Sequence, residues 1–120
     1  SYWNEKYKEY LGLDITDPNS GILQDIHWSL GSFGYFPTYS IGSFYAAQFH
    51  AQATKEIDNL EEQTTTGDHS KLLTWLQGKI YKHGKRTSAE GLCKELTGEG
   101  LNYKYFEAYV QKKYGELYEL

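Results

Sequence analysis

The chain has 120 residues, 39% of them hydrophobic, and a formal net charge of -4, so it is one domain by size whose core must lean on aromatic rings. That charge leaves no basic footprint for nucleic acid or an anionic membrane surface, and no apolar run approaches the roughly 20 residues of a membrane helix. A lone Cys93 excludes an internal disulfide and a cysteine-based zinc site, and favours a reducing, cytoplasmic compartment.

Over residues 1–11, Tyr2, Trp3, Tyr7, Tyr10 and Leu11 recur at helical spacing, and Gly12 is placed to end the helix. The chain contains no Met and opens on Ser1 directly into this pattern, which is read as a piece of a longer chain. Asp17-Pro18-Asn19-Ser20 forms a turn within residues 13–20. Residues 22–28 are too few for periodicity, although Leu23, Ile26 and Trp28 could face inward on about two turns. Gly31 and Gly34 mark residues 29–34 as a loop able to take positive φ.

A long helix is expected from near Phe36 to about Asn59, with Pro37 at its first position. One stripe is small (Tyr39, Gly42 or Ser43, Ala46 or Ala47, Ala53) and would admit a close neighbour. The other carries Ile41, Phe44, Tyr45 and Phe49, and a helix apolar on both sides is usually central. Residues 61–68 are polar, and Thr64-Thr65-Thr66-Gly67 is expected to end any helix. A helix over residues 69–81 places Leu72, Leu73, Leu76 and Ile80 on one face with Trp75 at its edge, and Gly84 closes it. Lys82, His83, Lys85 and Arg86 then read as a solvated helix end. Ser88 is the N-cap of a short helix holding Leu92, Cys93 and Leu96, with Gly98 beyond it. Asn102 caps a final helix on which Phe106, Tyr109, Val110, Lys113, Tyr114 and Leu117 recur. No stretch alternates as a strand, so the fold class is all-α, with residues 1–120 as a single all-helical segment.

The four histidines are His27, His50, His69 and His83, and none forms the H-E-x-x-H helix of a zinc site. No serine or cysteine sits in a nucleophile setting, and no phosphate-binding glycine loop is present. His27 differs by its company: Gln24 and Asp25 lie close enough to orient its ring, and a glycine loop leads on to Tyr35 and Tyr39. If the helix has started by then, these two phenols share a face. An imidazole and a phenol can both donate to a developing oxyanion, as peptide or ester cleavage requires. The same residues also describe a buried His–Asp pair among core aromatics, and the residue chemistry leaves both readings open.

Gly21-Ile22-Leu23-Gln24-Asp25-Ile26-His27-Trp28 resembles the G-x-x-Q-D-x-H-W signature of the thermostable (Taq-type) zinc metallocarboxypeptidase family. The likeness continues through Gly31-Ser32-Phe33-Gly34-Tyr35-Phe36-Pro37-Thr38-Tyr39 to Gly42 and Ala46-Ala47-Gln48. It extends upstream to Trp3-Asn4-Glu5-Lys6-Tyr7 and Tyr10-Leu11-Gly12, and downstream to Trp75-Leu76, His83-Gly84, Glu95-Leu96-Thr97-Gly98 and residues 109–114. It therefore covers nearly the whole chain, yet only the carboxyl-terminal portion of the family's chain. The family's H-E-x-x-H, zinc-ligand glutamate, H-P-F, D-x-R-x-T and I-R-x-x-A-D motifs do not occur here.

The resemblance implies a helical array, the C-terminal part of a neurolysin- or angiotensin-converting-enzyme-like zinc peptidase fold. It implies a metallocarboxypeptidase that removes single residues from peptide C-termini, with zinc or cobalt held by a missing N-terminal metal-binding portion and no metal ligand in this chain. By itself the chain is expected to be inactive, so whether it is an enzyme stays uncertain. In the implied enzyme, His27 and one of Tyr35 or Tyr39 contact substrate and stabilise the tetrahedral intermediate. Gln24, Asp25, Trp28 and Gly34 are expected to bind substrate or to orient those groups, and a homodimer is a further implied association. The alternative is a non-catalytic interaction or regulatory module derived from that family. The module should cover the small stripe around Gly42 and Ala46 within the chain, whereas the enzyme segment should leave apolar surface exposed there.

Overall fold

The computed structural model describes residues 1–119. Among them lie seven α-helices, three short 3-10 turns and no strand, so the all-α expectation holds. The chain divides into two compact units, Ser1–Thr38 and Tyr39–Leu120.

In the first unit, α1 (Tyr2–Leu11) ends where Gly12 adopts the left-handed conformation at φ 68°, its N–H bonded to the Lys8 carbonyl at 3.0 Å. Trp3 stacks on Tyr7 at 5.7 Å and meets Trp28 edge-on at 6.2 Å. Asp17 caps the 3-10 turn Pro18–Ser20 by accepting from the Asn19 and Ser20 N–H groups. A second 3-10 turn, Ile22–Gln24, precedes α2 (Ile26–Ser29). Leu23, Ile26 and Trp28 do not face inward: they are 63%, 62% and 50% exposed. Asp25 is extended between the two turns, so the helical spacing that would align them on one stripe is broken. Gly21 is the one buried residue of this unit. A Cβ there would stand 2.7 Å from Ile15 Cγ2, closer than any side chain tolerates.

α3 (Pro37–Glu56) starts where proline's fixed φ suits a first turn, and stops three residues short of Asn59. Asn59 is itself left-handed at φ 57° and opens α4 (Leu60–Thr65). That helix was not anticipated in the polar segment, and it ends at Thr65, inside the Thr64-Thr65-Thr66-Gly67 run expected to end any helix. It forms because buried Leu60 pins its first residue while Thr64 and Thr65 hydroxyls bond back to the Leu60 and Glu61 carbonyls. Gly67 then stops the chain at φ 83°.

The core joins Ala53, Ile57, Leu60 and Trp75, with Phe49, Leu72, Leu76 and Ile80 packed against it. Trp75, expected at the edge of α5 (Ser70–Lys79), is inside, and Leu73, expected on the buried face, is 49% exposed. The indole can enter because its N–H donates to Glu56 Oε2 at 2.8 Å. Only the second half of α3 is buried, at Gln48 and Ala53. Its first turns, with Ile41, Gly42 and Ala46, are exposed, so the helix is central along half its length and not throughout.

α6 (Ala89–Thr97) is capped as expected, Ser88 Oγ accepting from the Gly91 N–H at 3.1 Å and Gly98 left-handed at φ 81°. α7 (Lys104–Tyr118) begins two residues after Asn102, whose Oδ1 still accepts from the Lys104 N–H at 3.1 Å. Fully buried Gln48 ties α3 to the α6–α7 junction: its Nε2 donates to Thr97 Oγ1 and the Gly100 carbonyl, and its Oε1 accepts from the Asn102 N–H. Phe44 packs on Phe106 and Tyr103, both at 5.1 Å. Farther along α7, Tyr109, Tyr114 and Leu117 remain exposed despite their apolar spacing.

Candidate active site

The chemistry of the first unit centres on one turn of helix. Asp25, extended at φ -90° and ψ 105°, caps α2: its Oδ1 accepts from the His27 backbone N–H at 2.9 Å. The same oxygen lies 2.6 Å from His27 Nδ1. The cap and the ring contact share one carboxylate two residues upstream, so the pair is built locally. The His27 backbone N–H, then its ring, hold the Asp25 carboxyl below the usual carboxylate range. An ionised carboxylate only accepts, so Nδ1 is the donor and carries hydrogen.

The loop folds back over this ring. His27's carbonyl accepts from the Ser32 N–H at 2.8 Å, and Gly31 and Gly34 take φ of 73° and 74°, values that L side chains rarely adopt. This reversal lays the Tyr35 ring on the His27 imidazole, centroids 5.3 Å apart and planes within 19°, and sets Phe36 edge-on at 5.5 Å. Tyr35 precedes α3, and its carbonyl accepts from the Thr38 hydroxyl and N–H. The sharing of one helical face by Tyr35 and Tyr39 therefore fails, because the helix starts between them at Pro37. Tyr39 stands in the first turn of α3 with its ring exposed and its carbonyl bonded to the Ser43 hydroxyl.

Thus Asp25, His27 and Tyr35 come together. Trp28 instead joins Trp3 and Phe33, 6.2 and 6.0 Å away, at an open groove of about 620 Å³ that Tyr2, Tyr10 and Ile22 also line. Gln24 turns away from His27 and donates through Nε2 to the Asn19 carbonyl at 2.6 Å. Phe36 is the contact that sequence reading missed, and its only signal was adjacency to Tyr35. Among the described residues, no three His, Cys, Asp or Glu side chains gather as a metal ion would need, so this chain's own donors do not fit a zinc centre.

An all-helical chain presenting a carboxylate-oriented imidazole under aromatic rings has close counterparts among metallocarboxypeptidases. The M32 carboxypeptidase from Deinococcus radiodurans R1 superposes with a TM-score of 0.91 at 37% identity, over 98% of this chain and 24% of that one. Carboxypeptidase 1 of Bacillus subtilis is 40% identical across all of this chain and 24% of its own length. Thermostable carboxypeptidase 1 of Thermus thermophilus is 41% identical over 97% of this chain and 23% of its own. The family model described as carboxypeptidase Taq (M32) metallopeptidase matches residues 1–114. The chain belongs to that family, and it spans about a quarter of the length of the curated relatives it matches. Among the described residues no helix is long and apolar enough to cross a membrane.

Proposed function

We propose that this chain is the carboxyl-terminal, cleft-lining part of a metallocarboxypeptidase that releases single residues from peptide C-termini. In this reading an N-terminal portion supplies the zinc or cobalt, and the two together bind the peptide. The observation that carries it is the Asp25–His27 pair at 2.6 Å under the Tyr35 ring, set in a family whose members are metallopeptidases. Exposed Ile41, Gly42 and Ala46 on α3 agree with the enzyme segment, whereas a self-contained module would cover them.

Asp25 orients the His27 ring through the 2.6 Å contact of its Oδ1 with Nδ1. With Nδ1–H committed to Asp25, neutral His27 can only accept at Nε2. As imidazolium it donates Nε2–H to the oxyanion of the tetrahedral intermediate. Tyr35 or Tyr39 supplies a second donor through its hydroxyl, and Trp28 and Gly34 shape the adjoining substrate surface. Zinc would polarise the scissile carbonyl from the other portion, and no residue of this chain ligates it. A homodimer and a cytoplasmic setting belong to the same proposal, the latter supported by the single, fully buried Cys93.

The test is to combine the chain with an upstream polypeptide bearing H-E-x-x-H and to assay release of C-terminal amino acids with zinc or cobalt. Activity is expected only in the mixture. His27→Ala should lower turnover by roughly 100-fold or more, the scale of losing an oxyanion donor, with a smaller loss for whichever tyrosine hydroxyl takes part. Unchanged turnover in His27→Ala, Tyr35→Phe and Tyr39→Phe alike would remove the oxyanion role, and no activity in any mixture would count against the enzyme segment.

A further inference from the structure

We propose that Asp17 and Gln24 are positioning residues for His27, forming a hydrogen-bonded brace that fixes where α2 begins. The inference rests on the functional reading of His27 given above, and it concerns what holds that ring in place. α2 is a single turn of four residues, too short to hold its own geometry in water. Packing offers little help, since Gly21 is the one buried residue among residues 1–38. Beside the Tyr35 and Phe36 rings that cover His27, a continuous set of bonds lies immediately upstream.

Asp17 Oδ1 accepts from the Asn19 N–H at 2.7 Å and the Ser20 N–H at 3.3 Å, and its Oδ2 accepts from the Ser20 hydroxyl at 2.9 Å. The Gly21 N–H donates to the Pro18 carbonyl, and the Gln24 N–H to the Gly21 carbonyl. Gln24 Nε2 then reaches back five residues to the Asn19 carbonyl at 2.6 Å. This closes a ring that fixes residue 24 against the Asp17 turn, and Asp25, the cap and ring partner of His27, is the next residue. Gly21 seats the ring against Ile15, the Asp17 carbonyl and the Trp3 side chain, which a Cβ at that position would meet at 2.7, 3.7 and 3.7 Å. Three bonds accepted by the Asp17 carboxylate and one donated by the Gln24 side chain thus stand in for the missing core.

The readout is the His27 tautomer in the 120-residue chain, followed by long-range ¹⁵N–¹H correlation at a pH where the ring is neutral. Wild type should show one Nδ1–H tautomer, which Asp25→Ala abolishes. Gln24→Glu, isosteric but without the donor, and Asp17→Ala should each shift the ring towards the tautomer mixture of a free imidazole, while α3 to α7 keep their spectrum. Gln24→Lys, which restores a donor, should recover part of the Nδ1–H signal. A pure Nδ1–H tautomer in both Gln24→Glu and Asp17→Ala would overturn the brace, and so would a free-imidazole mixture in wild type. Because this readout needs no turnover, its failure is distinct from failure of the peptidase assay.

Discussion

Residues 1–38 and residues 39–120 solve the problem of order in opposite ways. The first unit bears the carboxylate-oriented imidazole, the stacked phenol and the contacts of Trp28 with Trp3 and Phe33, yet buries no apolar side chain. It is held by caps, turns and ring edges, each worth about 1 kcal/mol or less net. The second unit buries Ala53, Ile57, Leu60, Trp75 and Cys93, and satisfies its one buried polar side chain, Gln48, with three hydrogen bonds. Packing density and candidate chemistry are therefore separated along the chain. A cleft wall needs exposed polar and aromatic groups, and these cannot also be a core.

The sharpest test of that contrast compares two tryptophans. Trp75→Ala should destabilise the second unit by about 3–5 kcal/mol, the range for emptying a buried ring site, and it also removes one of the donors to the Glu56 carboxylate. Trp28→Ala, at a half-exposed ring, should move the same urea or thermal transition by under about 1 kcal/mol. Equal losses would break the comparison. Next comes Gln48→Ala, which leaves the Asn102 N–H and Gly100 carbonyl without their partner and should cost about 2–3 kcal/mol in the same melt.

Smaller again, Ser88→Ala removes the cap of α6 and should cost about 1 kcal/mol. The least effect is the acid response. Gln52 Nε2, then the Trp75 indole N–H and Lys79, hold the Glu56 carboxyl below its ordinary value. A lowered folded value means stability fully present above the unfolded value, about 4.3, and lost as pH falls through the folded one. The midpoint of melting should therefore drop on acidification, and Glu56→Gln should flatten that slope. Asp17 and Asp25 are lowered too, by the Ser20 hydroxyl with the Asn19 N–H and by the His27 N–H with its ring. Their protonation should loosen residues 17–27 locally, visible as shift changes there, without moving the global transition.

Where local chemistry decided the outcome, the sequence was readable. Gly12, Ser88 and Gly98 mark helix ends because a left-handed C-cap or a hydroxyl N-cap is satisfied within a few residues. The Asp25–His27 pair is likewise a two-residue event, predictable from an N-cap carboxylate beside an imidazole. α4 was not readable, since polar residues 61–65 become helical only once Leu60 finds the core. Nor was the choice between Trp75 and Leu73, which turned on a carboxylate nineteen residues away.

By itself, then, the sequence determined the helical class, most of the helix ends, the presence of Gln24 and Asp25 within reach of His27 and the family to which the chain belongs. Tertiary structure decided that Tyr35 leaves the helix to lie on His27, that Gln24 faces the Asn19 carbonyl, and that only half of α3 is covered. Periodicity and caps act over a few residues, and the sequence carries them directly. Which ring stacks on which, and which face stays bare, depends on partners that a linear pattern does not name.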